Sequence, residues 1–299
     1  MQKLPKLIPG DSVEIIAPAS RCSDHELFQL RELLTSWQLN CIVDENIFGD
    51  DILCANTDNH RFNSLRKALF RPETKAIICA RGGYGSMRLI PALSEIKPPD
   101  SPKLLVGMSD ITALNLFLQQ KWGWPTLHGA LTKGKYSAES IKSVKDILFG
   151  EVDHIEFIGI PMNNMATKNA TINTSITGGN LCLTQASIGT LWQIDAHDKI
   201  VLLEEVGERG YRIDRMLEHL GQANVLQHAA AIVFSDFIDG NEPDGSCKIR
   251  AVLERFALNF TAPVVLIKGV GHAHTNLPLP LGTSAELLLG DKVKLICYR

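Results

Sequence analysis

Three short stretches carry residue types suited to acyl-transfer chemistry, and each follows an apolar run. Leu104-Leu105-Val106-Gly107-Met108-Ser109-Asp110-Ile111-Thr112 stops at a glycine, presents Ser109 and at once becomes helical. A strand, sharp turn and helix start can hold a serine hydroxyl out from the sheet edge, with the next backbone N–H, that of Asp110, aimed at a bound group. That suits a nucleophile beside an oxyanion donor, although Ser or Asp ahead of an apolar helix is more often a cap. No glycine stands two positions after Ser109, so the G-x-S-x-G elbow is incomplete. Leu202-Leu203-Glu204-Glu205-Val206-Gly207-Glu208 ends an apolar strand in carboxylates, one of which could steer a histidine, while pairing with Arg209, Arg212 or Arg215 is the ordinary use of such a cluster. Gly269-Val270-Gly271-His272-Ala273-His274 follows Val264–Ile267 and offers a general base, against the simpler role of a satisfied loop histidine. His-x-His also suits metal ligation, but no Cys, His or Asp cluster stands close by to complete a zinc site. Serine, glutamate and histidine in that order, each at a strand end, favour acyl-transfer hydrolysis.

A fourth stretch, Arg81-Gly82-Gly83-Tyr84-Gly85, follows the apolar run Ala76–Ala80. It has neither G-x-G-x-x-G spacing nor the Lys-Ser/Thr ending of a P-loop. Paired glycines allow close backbone approach, so an N–H here could be a second oxyanion donor, or the stretch could be a plain strand-to-helix turn. Arg81 could clamp a carboxylate with both arms of its guanidinium, or be a surface charge.

The elements that must position these residues are legible in the first half. Ser12–Ala17 reads as a strand ended by Pro18, and Ser23 with Glu26 forms a capping box ahead of Leu27, Leu30, Leu33 and Leu34 at helical spacing. Strands at Cys41–Val43, Ala76–Ala80, Leu104–Val106 and Thr126–His128 alternate with helices at Phe62–Leu69, Ile111–Gln120 and from Ser137. Short strands alternating with helices imply right-handed crossovers and a parallel sheet, with ligands beyond the carboxyl ends of the strands, where Gly82, Gly83 and Ser109 would lie. The expected organisation is an N-terminal α/β domain over 1–150, a linker over 151–174 marked by a Thr/Asn-rich run, and a smaller α/β domain with a mixed sheet over 175–299. In the latter, Asn180 caps a helix from Leu181, strands lie at Ile200–Leu203 and Ala231–Phe234 around the helix Ile213–Leu220, and Leu287–Leu295 forms a β-hairpin.

Bulk properties remove several functional classes. The 299 residues are 45% hydrophobic, enough for a substantial core, and 30 basic against 33 acidic residues give a net charge of -3 without a like-charged block. Nucleic acid and anionic membranes are therefore not expected partners. No apolar run reaches the roughly 18 residues of a spanning helix. The charged start followed by Pro9-Gly10 lacks signal-peptide character, and seven scattered cysteines fit reduced thiols, so a cytoplasmic protein is expected.

Five motifs together resemble the LD-carboxypeptidase family, which includes muramoyltetrapeptide carboxypeptidase and the microcin C self-immunity peptidases: Arg81–Gly85; Gly107–Thr112; Gly178-Gly179-Asn180-Leu181; Leu203-Glu204-Glu205 with Tyr211–Arg215; and Gly271-His272 with Leu279–Gly282. The likeness runs in the family's order from Ile15-Ile16-Ala17-Pro18 onward. It implies a doubly wound, flavodoxin-like N-terminal domain bearing the nucleophile and a C-terminal domain supplying acid and base. By the same resemblance Ser109 is the nucleophile, Glu204 the acid, His272 the base, and the Gly83 and Asp110 amides the oxyanion donors; on its own chemistry, Arg81 or another positive group would hold the substrate carboxylate. The implied activity is release of terminal D-alanine from murein tetrapeptides by a cofactor-free, metal-free homodimer. A microcin C immunity-type peptidase acting on a peptidyl-nucleotide is the alternative within the fold, though this chain has few aromatics and no insertion to stack a base. A non-catalytic ligand-binding α/β protein is the alternative outside enzymology. Two departures from the family pattern, Met108 in place of an aromatic and His128-Gly129-Ala130 in place of His-Gly-Pro, bear on pocket shape.

Overall fold

Alternation of strand and helix governs the first half of the chain, as a computed structural model describing residues 3–299 shows. In order come β1 (Ser12–Ile16), α1 (Asp24–Ser36), β2 (Asn40–Val43), α2 (Asp58–Phe70), β3 (Thr74–Cys79), α3 (Ile90–Ser94), β4 (Leu104–Val106), α4 (Thr112–Phe117), β5 (Thr126–His128) and α5 (Ala138–Phe149). Local chemistry sets several boundaries. Ser23 and Glu26 form the reciprocal capping box of α1, and the Thr57 and Ser137 hydroxyls accept the third helical amides of α2 and α5. Gly150 ends α5 in the left-handed conformation that stops helices cheaply.

The second half contains β6 (His154–Pro161), β7 (Ala170–Asn180), α6 (Leu181–Ala186), β8 (Ile200–Val206), α7 (Gly210–Gln222), β9 (Ala231–Ile238), α8 (Ile249–Asn259), β10 (Val264–Ile267), β11 (Leu279–Leu281), β12 (Ser284–Leu289) and β13 (Val293–Tyr298). Residues 151–174, expected to link two domains, hold β6 and the start of β7. β6 pairs with both β10 and β13.

Strands β2-β1-β3-β4-β5 form a parallel sheet in that spatial order, the flavodoxin-like doubly wound arrangement, and β11 adds antiparallel to its β5 edge. The final strand of this sheet therefore comes from the far end of the chain, with Leu279 opposite His128. The remaining strands close into a seven-stranded mixed barrel, β10-β6-β13-β12-β7-β8-β9. Its interior is filled by Phe157, Ile176, Ile200, Leu202, Val233, Val265, Leu287 and Leu295.

The alternate residues of β8 and β9, Val201, Leu203, Ile232 and Phe234, face outward into a core shared with α7 and α8. That same core contains Leu65, Ile77, Leu114, Phe117 and Trp124 from the first half, so one apolar mass spans both sheets. Among the described residues, no helix is long and apolar enough to cross a membrane.

Candidate active site

Ser109 sits where β4 ends, at φ +63°. A side chain in this left-handed region costs about 1–3 kcal/mol and persists only when its surroundings enforce it. The hydroxyl caps nothing: the turn Ser109–Ile111 is a 3-10 helix whose cap position is Met108, with no side-chain cap bond. The neighbouring loop presses against the turn. A methyl group at Gly82 would stand 2.9 Å from Ser109 Cβ and 3.0 Å from the Met108 carbonyl, so the absence of a side chain there lets the two backbones meet.

Asp110 fastens that loop through its side chain. Its carboxylate accepts the amides of Gly85 at 3.2 Å and Ser86 at 2.8 Å, and Ser86 Oγ donates to the Asp110 carbonyl at 2.6 Å. From below, the buried Arg61 donates to the carbonyls of Pro18 and Gly85, and Ser20 Oγ accepts the Tyr84 amide at 3.0 Å. The Gly-rich stretch is thus held at three points on the sheet's carboxyl edge.

Glu204 and Glu205 are separated by strand alternation. Glu204 continues the inward row of Ile200 and Leu202 to the barrel mouth, where Oε2 accepts His272 Nδ1–H at 2.8 Å and the carboxylate is wholly buried. Glu205 turns outward to α6 and accepts from Asn180 Nδ2, the Cys182 amide and its neighbour Val206, and burial pushes its carboxyl above the ordinary range. Glu208 pairs at the surface with Arg212 at 3.1 Å.

The two histidines also separate. His274 is exposed and its Nδ1–H meets the Lys135 carbonyl at 3.1 Å, whereas His272 is 8% exposed and faces the cleft. The loop that carries them is clamped from both sides. Ser235 and Asp236 accept the amides of Val270 and Gly269, while Asn276 accepts the Gly271 amide at 3.2 Å and donates to Met108 Sδ at 3.1 Å.

Ser109 and His272 share one cleft of about 200 Å³ with Arg81, Gly82, Gly83, Lys135 and Tyr136. A hydroxyl and a carboxylate-oriented imidazole in one cleft are the parts needed to attack an acyl carbon and to move its proton. Among the described residues no group of three or more His, Cys, Asp or Glu side chains is placed to hold a metal ion.

Comparison with known proteins gives this cleft its context. Residues 13–129 match the LD-carboxypeptidase N-terminal domain and residues 173–287 the LD-carboxypeptidase C-terminal domain, Ser109 falling in the first and Glu204 and His272 in the second. A putative carboxypeptidase of Rickettsia conorii is 36% identical over 95% of this chain and 90% of its own length. The chain belongs to the LD-carboxypeptidase family. The murein tetrapeptide carboxypeptidase of Pseudomonas aeruginosa is 27% identical over 92% of each protein. The crystal structure of muramoyltetrapeptide carboxypeptidase from Oxalobacter formigenes superposes with a TM-score of 0.81 at 25% identity, covering 96% of this chain and 99% of that one. The protein is accordingly a peptidase of this family, with the flavodoxin-like sheet and the second mixed sheet expected of it.

Within that family frame, the cleft holds groups that sequence patterns did not single out. Lys135 and Tyr136 come from the connection between β5 and α5, a loop without periodicity to mark it. Cys79, at the end of β3, lines the cleft as a second possible nucleophile, yet burial drives its thiol far above the range in which a thiolate forms. Gly82 is the glycine pressed on Ser109, while a methyl at Gly83 would instead meet Ser20. Arg81 is exposed on the cleft rim, its guanidinium 3.4 Å from the Arg21 carbonyl.

Proposed function

We propose that this protein is a serine-type LD-carboxypeptidase that releases the terminal D-alanine of murein tetrapeptides by hydrolysing its amide to the L-centre of a diamino acid. The observation that carries this reading is the strained Ser109, φ +63°, sharing a cleft with a His272 whose Nδ1–H is fixed on buried Glu204. Further support comes from relatives named as murein tetrapeptide and muramoyltetrapeptide carboxypeptidases.

In this mechanism Ser109 Oγ adds to the scissile carbonyl carbon while His272 Nε2 takes the hydroxyl proton. Glu204 keeps the proton of His272 on Nδ1, so that Nε2 is free to accept, and offsets the positive charge that develops on the ring. The Asp110 and Gly83 amides receive the oxyanion. The tetrahedral intermediate collapses as His272 returns its proton to the D-alanine amine, and water then repeats the sequence on the acyl-enzyme. Arg81, with Lys135 across the cleft, supplies positive charge for the free carboxylate that distinguishes a carboxypeptidase substrate.

The test is mass spectrometry of a purified L,D-tetrapeptide after incubation with the protein. Loss of a single D-alanine residue is expected, with kcat reduced by about 1,000-fold or more in Ser109→Ala and His272→Ala. Near-normal turnover in Ser109→Ala would refute the serine mechanism.

A further inference from the structure

The last residue of β5, His128, is a wholly buried histidine with no hydrogen-bond partner on either ring nitrogen among the described residues. Such a group costs free energy unless something at hand satisfies it. What faces it is the outer oxygen of Glu204: His128 Nε2 lies 3.9 Å from Glu204 Oε1, which is itself buried and unpartnered. The other oxygen of the same carboxylate is engaged by His272. Two atoms without a protein partner among the described residues, one able to donate and one able only to accept, thus face each other in the buried interior behind the cleft.

Of the two ring nitrogens, Nε2 is the one that faces an acceptor-only group, Glu204 Oε1. On its Nδ1 side, His128 abuts Gly179, where a methyl group would stand 3.3 Å from Nδ1 and 2.7 Å from Thr112 Oγ1; the backbone of β7 reaches this spot only because position 179 is bare. Thr112 Oγ1 already accepts the Asn180 amide at 3.1 Å. Burial depresses the imidazole to about 4, so the ring is neutral and carries one N–H. Besides His128, the titratable groups acting on Glu204 are His272, Tyr136 ahead of α5, Asp236 on β9 and Glu205 on β8. Of these, the Tyr136 hydroxyl donates to Met108 Sδ, and Asp236 and Glu205, both raised by burial, are acids and so supply no positive charge to Glu204.

We propose that His128 is a positioning residue: it donates Nε2–H to Glu204 Oε1, closing the gap by about 1 Å, so that Glu204 is held between two imidazoles. A carboxylate anchored at both oxygens does not rotate away from His272, and the second donor favours its ionised form. This inference rests on the reading of Glu204 as the group orienting the base.

Two experiments decide it. In the first, kinetics of D-alanine release are compared across pH for wild type, His128→Phe and His128→Gln. Phe removes the donor, and kcat is expected to fall by about 10- to 100-fold with KM within about two-fold, the acid limb of kcat/KM moving to higher pH. Gln, which restores an N–H at comparable reach, recovers most of the rate. An active enzyme in which His128→Phe keeps the wild-type rate and profile, or in which Gln is no better than a folded Phe variant, overturns the inference while leaving the serine mechanism intact. The second needs no variant to fold. In 15N-histidine-labelled wild-type protein near neutral pH, His128 should be a neutral Nε2–H tautomer with slow solvent exchange, whatever the activity. An Nδ1–H tautomer or a doubly protonated ring would overturn it, and loss of D-alanine release alone would count against the serine mechanism and not against this pairing.

Discussion

At the scale of single residues, Ser109 combines strain and reactivity. Its φ of +63° is a conformation that glycine adopts freely and serine does not. Replacing Ser109 by alanine should abolish turnover and leave thermal stability near wild type, because the strain remains. Replacement by glycine should abolish turnover and yield a protein more stable than the alanine variant by about 1 kcal/mol, measured by denaturant unfolding; an alanine variant more stable than the glycine one would contradict enforced strain. Cys79 supplies the matching negative control. Since burial holds its thiol protonated, Cys79→Ala should retain kcat within about three-fold, and a loss like that of Ser109→Ala would place the nucleophile elsewhere.

At the scale of elements, the Gly-rich loop depends on one carboxylate. Asp110→Ala would strip the Gly85 and Ser86 amides of their acceptor, costing about 1–3 kcal/mol for buried donors left unpaired. Thermal unfolding should show the loss, and Asp110→Asn, keeping one oxygen, should fall between; equal stability for Ala and wild type would refute the role. A second prediction concerns the end of β5. His128 is depressed to about 4 in the folded protein, against about 6.5 unfolded. The unfolded chain therefore binds the extra proton first, and the stability tied to a neutral His128 is lost as pH falls from about 6.5 towards 4, by roughly 3 kcal/mol at most. Glu205 and Asp236, both raised by burial, change stability in the opposite sense with pH, so the relevant observable is the difference in slope between wild type and His128→Gln. Identical slopes would contradict it.

Much of this scale is legible in the sequence because it is local. The capping box at Ser23 and Glu26, the caps Ser137 and Asn180, and the strand endings before Gly82 and Ser109 all lie within a few residues of their own signals, whereas β8 runs on past Leu203 through Glu204 and Glu205 to Val206. The choice between Glu204 and Glu205 is not local. Both lie in the last part of β8, and only the closure of the barrel decides which faces inward. Leu279–Leu281 is too short to show a period, and it becomes a strand only because β5 presents an open edge. The segment read as one helix over Ile111–Gln120 is a 3-10 turn, a short α-helix and a π turn at Leu118–Trp122, irregularity that its apolar spacing conceals.

At the scale of the whole molecule, the two halves share a core, a sheet and a cleft. One core runs through both, β11 returns from the end of the chain to the first sheet, and Asn276 ties the His272 loop to Met108. Calorimetry should therefore show a single unfolding transition with calorimetric and van't Hoff enthalpies in agreement, whereas two resolved transitions would contradict a shared core. The same joining brings an imidazole from one half to a serine from the other, which makes the cleft a property of the folded whole.

The most direct measurement of the central claim is peptide-mapped mass spectrometry after exposure to a serine-directed phosphonate. A serine mechanism requires one adduct per chain, localised to Ser109 in the native protein and lost in His272→Ala. An adduct on another residue, or an active protein that takes no label at Ser109, would contradict it.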